Sequence, residues 1–115
     1  MNVNIKLIIL HLNLQTKTSS CLLDDDQIIS RPLLDENIGN GLRDILLEYL
    51  TLEPEWVRFN LVDVIHTTKN ISMIYSCMIP TIIKNHKGTW VNLGEIDDTD
   101  IKRLVFQASQ KIPIV

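Results

Sequence analysis

Several things are scarce in this chain, and each shortage closes off a class of protein. Its 115 residues include only two cysteines, Cys21 and Cys77, far apart in sequence. That is too few for a disulfide framework, and no Cys/His spacing suits zinc. Long apolar runs are also missing. The continuous stretch 7–10 is too short for a membrane span or the core of a signal peptide. Lys and Arg total 11 against 14 Asp and Glu, a net charge of −3. The cations do not cluster as a surface that tracks a phosphate backbone would, so a dedicated nucleic-acid binder is disfavoured. Lys84 and Lys87 make only a local basic spot. No serine sits in a nucleophile elbow. There is no internal repeat, low-complexity tract or linker.

Apolar residues are not scarce. They make up 45% of the chain, enough to bury a core and too much to leave wet in a disordered one. One domain over residues 1–115 is expected, cytoplasmic and without a membrane partner. The sequon-like triplet Asn70-Ile71-Ser72 carries little meaning without a secretory signal.

Periodicity orders the elements. Residues 4–14 are apolar on both alternating faces in the middle, as in a central strand covered on both sides. Residues 15–20 read as a turn. Residues 21–23 and 27–30 flank Asp24-Asp25-Asp26 as a hairpin or a kinked pair of strands, and Arg31-Pro32 should then interrupt the ladder. Ile38, Leu42, Ile45, Leu46, Tyr49 and Leu50 recur at three- and four-residue steps, predicting a helix. Asp35 or Asn37 caps it. Gly39 and Gly41 weaken its first turn, so it should begin near Asn40 and stop before Pro54. Strands over 57–66 and 71–83 follow, then a hairpin turn at 85–88 and a short strand over 90–93. A last helix over 101–110 has Thr99 as its expected N-cap. Strands, helix, strands and helix in that order predict an α/β/α sandwich around a mixed sheet.

One constellation is richer in chemistry. Asp35 is followed after seven residues by Arg43-Asp44-Ile45, and Glu48 lies four residues beyond Asp44. Four residues is one helical turn, so Asp44 and Glu48 share a face. This segment resembles the later part of a Nudix box: Gly, five residues, Glu, seven residues, then Arg-Glu-aliphatic-any-Glu-Glu-any-Gly-aliphatic. Asp35 falls at the first Glu, Arg43 at the Arg, Asp44 at the next Glu and Glu48 at the second of the Glu-Glu pair. Ile29 stands for the leading Gly, Leu47 for the first Glu of the pair, and Leu50-Thr51 for the final Gly-aliphatic. The element order is also similar to the family's.

The resemblance implies a Nudix-like domain whose box would hold Mg²⁺, or Mn²⁺, against a nucleoside diphosphate derivative. Asp35, Asp44 and Glu48 would be the metal ligands, and Glu48, Asp44 and Arg43 the catalytic set. Losing the carboxylate at Leu47 removes a ligand from an ion that wants several hard oxygens, and weakens the clamp that metal-assisted attack on a pyrophosphate needs. The reading taken forward is therefore a degenerate box, in a module that senses a nucleotide or binds a protein, with weak or no hydrolase activity. An active, divergent pyrophosphohydrolase is the alternative, and a structural or assembly subunit the third.

Residue by residue, plainer readings stand beside these. Asp44 and Glu48 equally describe the solvated face of an amphipathic helix, and Arg43 a surface pair with a neighbouring carboxylate. Asp24-Asp25-Asp26 reads as a solvated turn, since it lacks the spaced ligands of a calcium loop. Cys77 reads as a core thiol, and Trp56 and Trp90 as packing residues that could also stack a base.

Overall fold

The computed structural model describes residues 2–34, 36–51, 57–79 and 84–110. β1 (Asn2–Asn13) is the spine of the fold. β2 (Thr18–Leu23) and β3 (Ile29–Pro32) follow, then helix α1 (Ile38–Tyr49), β4 (Asn60–His66), β5 (Asn70–Ile79), β6 (Thr89–Asn92), a single 3₁₀ turn at Leu93–Glu95 and helix α2 (Thr99–Ser109). The six strands make one mixed sheet in the order β4-β5-β1-β2-β6, with β3 also on β1.

β1 is long enough to serve three partners. Along one edge it runs parallel to β5 from Asn2↔Asn70 to His11↔Ile79. Along the other its two halves take different antiparallel strands. Asn4–Leu7 pair with β3, and Ile9–Asn13 with β2. The choice left open by the sequence thus resolves as a kinked pair: β2 and β3 join through a tight turn in which Asp24 and Gln27 exchange two 2.9 Å backbone bonds, then diverge along β1.

The pleat sends the side chains of β1 to two cores. Ile5, Leu7 and Ile9 meet Leu42, Ile45, Leu46 and Tyr49 of α1. Ile8 and Leu10 meet Ile101, Leu104, Val105 and Ala108 of α2. The result is the expected α/β/α sandwich. Each such large aliphatic side chain contributes about 1.5–3 kcal/mol by leaving water. Alternation through β1 therefore holds one helix on each face.

Four local expectations need correction. Arg31-Pro32 does not cut the ladder, because Ile5↔Arg31 and Asn4↔Pro32 are still paired. The Leu33 N–H donates to Val3 O at 2.8 Å on the next pair. Pro32 therefore sits at the alternate position, where a strand N–H points away from its partner and its loss costs nothing. α1 starts two residues before Asn40 despite its glycines. The Asn37 side chain caps it by accepting from the Asn40 N–H, while Asp35 lies outside the described residues. At Gly41 a Cβ would meet Ile5 Cδ1 at 2.7 Å, so the glycine lets the helix lie close on β1. The cap of α2 is Asp98 rather than Thr99, since Asp98 Oδ1 accepts from the N–H groups of Asp100 and Ile101. Finally, the turn at 85–88 is no hairpin: β5 and β6 are not neighbours, and β6 pairs with β2.

Candidate functional site

α1 turns its apolar stripe to β1 and leaves Asp44 and Glu48 on its flank. There they form one wall of a cleft of about 280 Å³. Ile5, Arg31 and Pro32 form the other wall, with Gly41 in the floor. The shared face expected of Asp44 and Glu48 is present. Arg43 is exposed and does not line the cleft, and Asp35 is outside the described residues. Leu47, at the place of a carboxylate in the box, is 55% exposed. Ile29, at the place of the leading glycine, turns its side chain into the α1-side core.

Glu48 is not free. Arg31 Nη2 donates to its Oε2, and Lys87 Nζ reaches the same oxygen at 3.2 Å. Arg31, followed by Lys87, holds the Glu48 carboxyl below its ordinary range, against a smaller opposing effect of burial. Both cations are anchored. Arg31 also donates to Ser30 O at 2.8 Å and to the Tyr49 hydroxyl at 2.7 Å. Lys87 rides on a loop latched to the end of α1, where the His86 N–H donates to Tyr49 O at 2.7 Å and Asn85 Nδ2 donates to the carbonyls of Lys87 and Gly88.

Tyr49 is the hub of this network. Its ring is buried in the α1-side core, and its hydroxyl donates to Asp24 Oδ2. Burial is the main cause pushing the phenol above its ordinary range, with the bond to Asp24 acting in the same direction and Arg31 against it. Arg31 and Lys87 lie 5.4 and 5.9 Å from the ring centroid, within reach of its π face. A polar chain thus runs Asp24–Tyr49–Arg31–Glu48–Lys87. Asp24 is part of it rather than of a solvated turn. Only the basic spot at Lys84 and Lys87 hinted at it. Nothing in periodicity separates Arg31 from any other strand-end cation, or Tyr49 from the rest of its stripe.

A divalent ion needs several converging oxygens. Among the described residues no group of three His, Cys, Asp or Glu could hold one. Cys21 and Cys77 are both free and buried; burial pushes the Cys21 thiol up to about 12 and Cys77 higher still, so both read as packing groups rather than nucleophiles.

No family model matches the sequence, and no curated protein matches it. Solved structures do match. The NUDIX domain of Shewanella oneidensis NrtR, complexed with ADP ribose, superposes with a TM-score of 0.67 at 10% identity, over 96% of this chain and 88% of that one. A MutT/nudix family protein from Enterococcus faecalis gives 0.59 at 13% identity, over 79% of this chain. The chain has the Nudix fold. It spans 43% of the length of the Enterococcus protein. A further neighbour is the C-terminal domain of mouse MUTYH in its complex with human PCNA, with a TM-score of 0.64 and 13% identity over 96% of this chain and 88% of that one. At these identities the likeness is one of fold, and function has to be argued from the site. Among the described residues no helix is long and apolar enough to cross a membrane.

Proposed function

We propose that this Nudix-fold domain is a binding module for a nucleoside diphosphate derivative, with little or no hydrolase turnover. One observation carries the reading: Glu48, the residue best placed to be a metal ligand, is already neutralised by Arg31 and Lys87. A metal ion would have to compete with two anchored cations for one carboxylate oxygen. Leu47 offers no replacement, and the described residues do not fit a Mg²⁺ or Mn²⁺ site. No catalytic step through a metal follows from this arrangement. The cleft itself survives, with a guanidinium and a carboxylate-bearing helix flank around an apolar floor, a form suited to orienting a polar ligand. The neighbouring NrtR domain holds ADP ribose, which supports a nucleotide derivative as the ligand class.

The competing reading is an active pyrophosphohydrolase, and it also has an observation in its favour: Asp44 and Glu48 line the same cleft. Phosphate release from nucleoside di- and triphosphates and nucleotide sugars, with Mg²⁺ or Mn²⁺, separates the two. The binding reading expects the wild type and Glu48→Gln to release phosphate alike, at background, while calorimetry detects ADP-ribose binding to the wild type. Metal-dependent turnover lost in Glu48→Gln would establish the enzyme instead.

A further inference from the structure

On the other face of the sheet from the Arg31–Glu48 cleft lies a second, larger groove of about 370 Å³. It is bounded by the start of β2, the end of β6 and the flank of α2. Its walls carry Lys17, Thr18, Ser19, Asn92, Lys102 and Phe106, and no carboxylate. In a chain of net charge −3 that is a locally cationic pocket. Phe106 is 59% exposed, and it is the one aromatic among the exposed large hydrophobic residues described. Its place on α2 is set by the helix. Ile101, Leu104, Val105 and Ala108 take the buried stripe, which leaves Lys102 and Phe106, one turn apart, together on the flank. Lys17 is held in the left-handed region at φ 57°, where glycine or asparagine is usual in a hairpin loop. A lysine there puts a cation at the groove where the turn alone would favour glycine or asparagine.

We propose that this groove is a ligand site for a small phosphorylated aromatic molecule of the mononucleotide class. The exposed face of Phe106 stacks the base, as an aromatic ring does in sequence-tolerant nucleotide binding. Lys17 and Lys102 neutralise the phosphate, and the Ser19 hydroxyl and the Asn92 Nδ2 group are polar contacts for the ribose, the Asn92 Oδ1 being taken by the Gly94 N–H and the Thr18 hydroxyl by Thr16 Oγ1. The site does not rest on the reading of the Arg31–Glu48 cleft.

The test is a titration of the ¹⁵N-labelled full chain with ADP, adenosine and inorganic phosphate, free of divalent metal, followed by amide chemical shifts. ADP should perturb Thr18, Ser19, Asn92 and Phe106, and should bind more tightly than adenosine or phosphate alone. Phe106→Ala and the Lys17→Gln/Lys102→Gln pair should each weaken ADP binding at this groove by at least about fivefold. All three side chains are exposed, so the variants should fold. Shifts confined to Arg31, Asp44 and Glu48, no shifts at millimolar ADP, phosphate binding as tightly as ADP, or variants with unchanged affinity would each overturn the proposal.

Discussion

Arg31 and Glu48, seventeen residues apart, form an ion pair between the edge of β3 and the flank of α1, and Lys87 joins them from the loop before β6. Both members of the pair remain about one-third exposed, so water screens them. Glu48→Gln is therefore expected to lower stability by only about 0.5–1 kcal/mol near neutral pH. The pH dependence has a definite sign. Arg31 and Lys87 depress the folded-state pKa of Glu48 below its ordinary 4.5. The stabilisation is present above that ordinary value and is lost as pH falls through the folded value. Urea midpoints of wild type and variant should differ at neutral pH and converge in acid. A gap that widened in acid would contradict the assignment.

Leu47 sits on α1 three residues after Asp44 and next to Glu48, exposed to solvent. Leu47→Glu adds a third carboxylate to that flank without disturbing the core. Its Mn²⁺ affinity should exceed that of the wild type by roughly tenfold or more, because ligand charge count tunes such sites. Calorimetry reads this directly. Equal affinities would mean that the helix flank does not keep the spacing of a metal site.

Gly88 has φ +80°, and a Cβ there would lie 2.9 Å from Leu23 O and 3.2 Å from the Leu22 side chain. Gly88→Ala combines backbone strain with a clash against β2, and should cost about 1–3 kcal/mol in thermal or urea unfolding. Since Lys87 is the preceding residue, the same change should weaken its hold on Glu48.

Asp25 and Asp26 occupy the two central positions of the β2–β3 turn, both with positive φ, 50° and 61°. A turn of this type prefers Asn-Gly, because L side chains crowd the backbone in the left-handed region. Asp26→Gly should relieve that crowding and raise stability by about 0.5–1 kcal/mol, read as a higher melting temperature. A drop would show that the Asp26 carboxylate makes a contact worth more than the strain.

How much of this was legible in the sequence varies by element. The apolar stripe of α1 marked its buried residues, and the two-sided apolar middle of residues 4–14 marked a strand covered on both faces. Both are consequences of local repeat distance, 3.6 residues in one case and two in the other, which a linear text carries directly. The α/β/α order followed from them, and the spacing of Asp44 and Glu48 placed both on one flank of α1. Tertiary structure alone decided the rest. Whether β3 joined β1 beside β2 depended on which face of Pro32 lacked its N–H. Whether Glu48 stood open to a metal depended on Arg31 and Lys87, seventeen and thirty-nine residues away. Ion-pair partners at such distances leave no period in the sequence. They are chosen by which strand ends and loops the packed sheet brings to the same flank of α1.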